Sequence, residues 1–319
     1  MDIIKNISII FISIFFESIP FILLGSIISA IIEEYVPDDF IERIIPKNII
    51  LSSLFGVFLG FFLPACDCAV IPITKRLIKK KVPINVSISF MLSSPIINPV
   101  VLLSTYYAFN NVNKKIIIYR LLFGIAVALI VGIIMGIIFR NKDVIKEDCD
   151  NCTCHHHNKD IVDEDIDEEF KELEKYTVGA YKNNFYSNIS SIVKNISEDM
   201  FDVLKYLMLG ALIASSVQVL LPRSIMNLFI NNNIISIIVL MLFAYLISLC
   251  STSDSFVGRS LLSLFGTSSI LAYLLLGPMI DIKNTIVLFG NYKSKFVICL
   301  ISLIFLFVFL FSLLVVRII

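Results

Sequence analysis

Runs of about twenty apolar residues recur along this chain, the length a helix needs to cross the hydrocarbon core of a bilayer. They lie at about 7–35, 49–66, 84–108, 116–139, 190–220, 233–250, 268–290 and 296–316. In lipid, backbone polar groups must be satisfied internally, and a helix does this within one segment. The expected fold is therefore an all-α polytopic membrane protein with about eight transmembrane helices. Composition agrees, since 57% of the 319 residues are hydrophobic. The mean hydropathy of +0.90 lies far from that of a soluble domain. Lys and Arg number 26 against 26 Asp and Glu, so bulk charge says nothing about partners, and no nucleic-acid partner is expected. The first apolar run follows a single lysine, is too long for a signal peptide and lacks a small-residue cleavage site.

A polar segment holding "DEDIDEEFKELEK" divides the runs into two groups of four. The expected domains are a first membrane repeat (1–140), a cytoplasmic polar loop (141–188) and a second membrane repeat (189–319). Placing the N-terminus inside puts Lys75, Arg76, Lys79, Lys80, Lys81, Arg140, Lys142, Arg259 and Arg317 in the cytoplasm. The opposite loops carry Arg43, Lys47, Lys114, Lys115, Arg223, Lys293 and Lys295. The modest bias predicts cytoplasmic N- and C-termini and a cytoplasmic polar segment. The basic run 75–81 reads as a determinant of topology and nothing more.

The two halves are related in sequence. "FESIPFILLGSIISAIIEEYVP" from Phe16 lies over "FDVLKYLMLGALIASSVQVLLP" from Phe201, pairing Glu17 with Asp202, Gly25 with Gly210 and Pro37 with Pro222. After a small change of offset, Asp67 falls on Cys250, Arg76 on Arg259, Pro95 on Pro278 and Asn98 on Asp281. Duplicated membrane units of this kind are typical of transporters, with the substrate site at the repeat interface. Four spans per half make the repeats parallel. A re-entrant hairpin over "VPINVSISFMLSSPIINPVVLLSTYYAF" makes them inverted, with three crossings each.

"SSPIINPVV" (93–101) and "GPMIDIKNT" (277–285) each interrupt an apolar run. Proline removes a backbone donor and clashes with the preceding turn, so both helices should break there. Asn98, Asp281, Lys283 and Asn284 then lie near the breaks. A charge at mid-membrane costs about 2.5–3.5 kcal/mol on insertion scales, which favours a substrate-binding task over an interfacial polar cluster.

Seven cysteines are an odd number, and reduced thiols with a ligand or redox role fit better than a disulfide framework. Cys66, Cys68 and Cys250, with Asp67, form the main candidate substrate contacts. Thiolates select soft ions such as Cu(I) and zinc, and thiophilic metalloids. Neighbouring CxC side chains diverge by about 200° on a helix, so joint ligation calls for the extended backbone that Pro64 and Pro72 favour. Buried cysteines that act only as small apolar residues are the bland alternative. "STSDSF" adds Asp254 beside Cys250.

"CDNCTCHHH" gathers Cys149, Cys152, Cys154, His155, His156 and His157 into nine positions, including all three histidines. Thiolate and imidazole are the ligands of zinc, and thiolates suit Cu(I), so this loop is a candidate metal site as against a low-complexity linker. Glu17 and Asp202 are candidate proton-coupling carboxylates, with Lys205 one turn from Asp202 as a local ion partner. No phosphate-cradling glycine loop and no catalytic motif are present, so neither an enzyme nor a required cofactor is expected.

"PACDCAVIP", "SSPIINPVVL", "CSTSDSFVGRS" and "GPMIDIKNT" together resemble the bacterial family of predicted permeases that includes the organoarsenical efflux permeases. The resemblance covers nearly the whole membrane portion. It implies a multi-span permease of the bacterial cytoplasmic membrane with two related halves, and Cys66, Cys68 and Cys250 as thiol contacts of a thiophilic substrate. The arsenical members have a Cys-Ser-Cys type of sequence and an acid where "INPVV" stands, so this chain looks like the branch with an acid between the cysteines.

The expectation is a secondary efflux transporter of a soft metal ion or metalloid, acting in the lipid bilayer alone, as a homo-oligomer or with a partner membrane subunit. The alternatives are a metal-holding, redox or assembly subunit that moves no substrate, and a permease for an unrelated small solute.

Overall fold

The computed structural model describes residues 2–35, 45–46, 48–63, 66–110, 112–140, 142–146, 179–220, 233–262 and 264–318. Its secondary structure is helical apart from an isolated bridge between Ile145 and Tyr292. In the first half, α1 is Asp2–Tyr35, α2 Ile49–Phe62, α3 Asp67–Lys79, α4 Ile84–Ile97, α5 Pro99–Phe109 and α6 Lys115–Ile138. In the second, α7 is Gly179–Leu220, α8 Asn233–Ile247, α9 Ser251–Leu261, α10 Thr267–Met279, α11 Ile282–Asn291 and α12 Ser294–Ile318. Among the described residues, five stretches are long and apolar enough to cross a membrane: Ile4–Ala30, Ile84–Phe109, Lys115–Ile138, Thr267–Asn291 and Ser294–Arg317. Ile49–Phe62, Val203–Val219 and Ile234–Ile247 are apolar but shorter. Every expected apolar run is helical, and the protein is an all-α polytopic membrane protein.

The lateral contacts give each helix a direction. Asn85 Nδ2 donates to the Ile49 carbonyl at 3.2 Å and to the Ser52 and Ser53 hydroxyls at 2.7 and 3.0 Å. Ser94 Oγ donates to the Leu63 carbonyl at 3.1 Å, so α2 and α4 run the same way. Between them α3 must return, and it ends in a turn through Lys81 at φ 61°. Helices α2 and α3 thus form a re-entrant hairpin. Fourteen residues in α2 span about 21 Å, short of the roughly 30 Å hydrocarbon core.

The second half repeats this arrangement from the other face. Ser255 on α9 meets the Ser104 and Thr105 hydroxyls of α5 at 3.2 and 3.0 Å, and Arg259 donates to the Ala108 carbonyl at 2.7 Å. Helix α9 therefore runs alongside α5, toward the face where Asn113 reaches Thr267. The Phe243 and Tyr273 rings, 6.1 Å apart, set α8 beside α10. Helices α8 and α9 are a second hairpin, entering from the face opposite to the first.

Among the described residues six segments run from one end of the bundle to the other: the five long apolar stretches on α1, α4–α5, α6, α10–α11 and α12, and α7, whose apolar part is Val203–Val219. With three such segments in each half of the chain, the second half begins at the end of the bundle opposite to the first. The re-entrant element is 49–79, however, and the 84–109 stretch is a broken crossing. This changes the expected topology. Phe139, which caps α6, meets Phe296 of α12 edge-on at 5.2 Å, and Phe123 lies 5.1 Å from Phe311, so the two helices are antiparallel. Lys293 N donates to the Val144 carbonyl at 2.8 Å, placing Lys293 and Lys295 on the face of Arg140 and Lys142. Residues 2 and 318 emerge on the opposite face. The expectation that both termini share a side with the polar segment is thereby corrected: each hairpin turns back at mid-depth and removes one crossing from its half.

The two crossings that break do so just after their prolines. Pro95 and Pro278 sit in the last turns of α4 and α10. The chain leaves the helix at Asn98, which precedes Pro99 and is pushed off the α region (φ −49°, ψ 127°), and at Ile280 and Asp281. Pro72 is accommodated inside α3. Helix α7 begins at Gly179, inside the segment expected to be loop, and its 42 residues extend about 63 Å, beyond the bilayer core.

Candidate transport site at the hairpin tips

Four helices start near mid-depth: α3 and α9 at the hairpin tips, α5 and α11 after the breaks. Each start carries a polar or thiol residue at its cap. Asn98 accepts from Val100 N at 3.0 Å and Asp281 from Asn284 N at 2.7 Å, which satisfies amides that lipid would leave unpaired. Cys66 (φ −78°, ψ 168°) caps α3 and Cys250 (φ −69°, ψ 141°) caps α9, neither with a side-chain cap bond. Helix N-termini concentrate unpaired N–H dipoles and favour negative charge nearby. Asp67 in the first turn of α3 and Asp254 in that of α9 match that preference.

Glycines let the flanking helices close over these starts. A Cβ on Gly25 of α1 would meet Ala69 Cβ at 2.8 Å, and one on Gly210 of α7 would meet Lys283 Cα at 2.9 Å. These two positions, paired in the sequence, press α1 onto α3 and α7 onto α11.

A cavity of about 20 Å³ results, lined by Cys66, Asp67, Cys68, Cys250, Glu17 and Lys283, with Ser18 and Ser248 among the other contacts. The three expected thiols come together, one hairpin giving two and the other the third. They are free cysteines. Of the Cys66–Cys68 pair, only Cys66 has the expected extended backbone, because α3 begins at Asp67 and takes Cys68 into its first turn. The pair still converges, since an extended cap and a first-turn residue can face the same space. Cys68 Sγ donates to Ser18 Oγ at 3.9 Å, and Cys250 lies 3.3 Å from the Thr252 hydroxyl.

Lys283 is the electrostatic centre. Its Nζ lies 3.4 Å from Asp67 Oδ2 and 3.2 Å from Asp281 Oδ2, with all three side chains at most 5% exposed. A buried ammonium held between two carboxylates is compensated where a lone one is not. Asp281 and Asn284 do not line the thiol cavity. Asn284 lines a smaller one of about 10 Å³, with Asp67, Met91, Pro95 and Pro278. Asn98 lines neither and acts as a cap.

Asp254 also stands apart from the thiols. Its Oδ1 accepts from Tyr273 at 2.9 Å, and its Oδ2 lies 2.9 Å from where a Cβ on Gly277 would be. Beside it Arg120, fully buried, donates to Thr105 and, at 2.8 Å, to Ser255. This hydrogen-bonded cluster ties α6 and α5 to α9. The sequence reading missed Arg120, although a single arginine within the apolar run 116–139 is a legible signal. Ser248 gave no signal: its φ of 51° is left-handed, and its Oγ accepts from Lys283 N at 3.5 Å. Nor is the basic run merely a topology signal, since Lys75 and Arg76 are buried and Lys75 Nζ donates to Asn291 Oδ1 at 2.9 Å.

Glu17, a candidate proton-coupling carboxylate, is an exposed residue that borders the thiol cavity. The side chain of Asp202 and the six residues of the Cys/His loop, Cys149 to His157, lie outside the described residues. Among the described residues no group of three or more His, Cys, Asp and Glu forms a metal cluster.

The model of a family described as "Predicted permease" matches residues 3–316. A Streptococcus mutans protein named "Putative two-component membrane permease complex subunit" is 37% identical over 91% of this chain and 88% of its own length. The Bacillus subtilis "UPF0718 protein YcgR" is 38% identical over 96% of this chain and 95% of its own length. No solved structure matches.

Proposed function

The chain belongs to the predicted permease family, and from that premise we propose that it is a secondary efflux transporter of a soft metal ion or metalloid. The observation that carries the reading is the meeting of Cys66, Cys68 and Cys250 from two oppositely inserted hairpins around one cavity. Three thiols with an adjacent carboxylate suit a thiophilic species, whether a transition-metal ion or an arsenical of the kind the motif resemblance suggests.

The cavity holds about one water molecule, so passage requires a hairpin to withdraw. With α2–α3 closing one face and α8–α9 the other, alternate withdrawal exposes the thiols to each side in turn. Lys283 then serves as a tethered counter-ion. An arriving cation takes over Asp67, and the ammonium relaxes onto Asp281.

The positive-inside rule sets the direction. Lys79, Lys80, Lys81, Arg140, Lys142, Lys146, Lys293 and Lys295 share the polar-segment face, against Lys5, Lys114, Lys115, Arg259 and Arg317 toward the other. In a bacterial cytoplasmic membrane the polar segment is then cytoplasmic and the termini external. Cys149, Cys152, Cys154 and His155–His157 can there bind Zn²⁺ or Cu(I) and raise its concentration near the site. The name of the S. mutans relative supports a partner membrane subunit, which this chain would share.

The test is a metal and metalloid sensitivity panel of deletion and overexpression strains, followed by uptake into everted vesicles. Expected is uptake of a soft species by the wild type that is lost in Cys66→Ser and Cys250→Ser, both present in the membrane at normal levels. Uptake unchanged in both variants rejects the thiol mechanism.

A further inference from the structure

The smaller cavity, beside the thiols but not part of them, has the chemistry of a hard cation site. Asp67 and Asn284 line it, and Met91, Pro95 and Pro278 close it. Asn284 is 3% exposed, and its Oδ1 has no hydrogen-bond partner. A buried amide oxygen without a donor costs about 1–3 kcal/mol, which a ligand would recover. Pro95 has no N–H to give, so the carbonyl of Met91, four residues earlier, lacks its helical donor.

Charge points the same way. Asp67 and Asp281 meet the single ammonium of Lys283, so the three groups together carry one unit of negative charge in a buried place. Oxygen donors, net negative charge and room for about one water-sized particle describe a small, hard, singly charged cation. Thiols are soft ligands and make no claim on such an ion.

We propose that Asp67, Asn284 and the freed carbonyl of Met91 bind a monovalent cation of sodium size, the coupling ion of the transport cycle. Its role as coupling ion rests on the transporter reading above; its binding does not. Asp67 belongs to both cavities, so this ion and the substrate share one carboxylate. That is the physical basis for linking their occupancies.

The experiment is thermal unfolding of the purified full chain in nanodiscs, in NaCl, KCl or choline chloride at equal ionic strength. A ligand that binds only the folded state raises Tm by mass action. Expected is a saturable rise of Tm in sodium and none in choline, with potassium far weaker. Asn284→Ala should raise the half-saturating sodium concentration by about tenfold or more, the loss of one ligand to a charged group. Asn284→Asp, which keeps the oxygen, should retain the response. Cys66→Ser should also retain it, which separates this proposal from the thiol mechanism. If a variant is too unstable to purify, ²²Na⁺ binding to wild type with competing unlabelled sodium or potassium decides. Equal Tm in sodium and choline, or a sodium response that Asn284→Ala leaves unchanged, overturns the proposal, as does absence of competable ²²Na⁺ binding.

Discussion

Lys283, on the helix that follows the second break, reaches Asp67, at the tip of the first hairpin, across 3.4 Å. It joins the two halves of the molecule at the depth where each chain path is interrupted. Lys283→Met should leave two buried carboxylates uncompensated and lower stability by about 3–5 kcal/mol. Adding Asp67→Asn should restore part of that loss. A double-mutant cycle on thermal unfolding in detergent measures the coupling.

Thiol chemistry distinguishes the site cysteines from a bystander. Cys66 and Cys250 line the cavity while Cys299 is a half-buried cysteine of α12 outside it. Saturating Cd²⁺, a soft thiophilic probe, should slow alkylation of Cys66 and Cys250 by about tenfold or more and leave Cys299 unchanged. Mass spectrometry of maleimide adducts reads all three in one sample. Equal protection at Cys299 would show a global effect.

The close helix approach at the site can be tested with one methyl group. Gly25→Ala and Gly210→Ala each place a Cβ within 3 Å of backbone or Cβ atoms of a site helix. Each should cost about 1–3 kcal/mol. Gly266→Ala meets nothing within 4 Å and is the control. Chemical cross-linking between α1 and α3 should fall in the first variant only.

Arg120 anchors the other cluster. Arg120→Met removes the cation beside Asp254 and two hydrogen bonds to hydroxyls. A loss of about 3–5 kcal/mol is expected, because the neighbouring acid stays buried. Asp254→Asn in the same chain should recover part of it. Thermal unfolding of the four proteins separates this from a simple packing defect, which the second change would not repair.

Hydropathy alone exposed the helical class, and the internal register exposed the thiol partners, because both are one-dimensional patterns. Cys250 was legible through its alignment with Asp67 and through the motif "CSTSDSFVGRS". The hairpins were not legible. Residues 49–62 and 233–247 are as apolar as true spans, and what reveals their direction is lateral pairing, such as Asn85 with Ile49, Ser52 and Ser53. Ser248 shows the same limit, since its left-handed backbone depends on packing around Lys283. The placement of Asp254 followed from Tyr273 and Arg120, distant residues that no local motif connects to it.

Because residues 2 and 318 emerge on one face and the polar segment on the other, the chain order can be rewired without moving a crossing. Opening the chain between residues 146 and 179 and tethering 318 to 2 would give a circular permutant whose six crossings keep their directions. Two polypeptides, 1–146 and 179–319, would each carry one hairpin and one broken crossing, the first with Cys66 and Cys68 and the second with Cys250. They should reassemble when co-expressed, since what holds them together is pairing between halves, from Lys75–Asn291 to Arg259–Ala108.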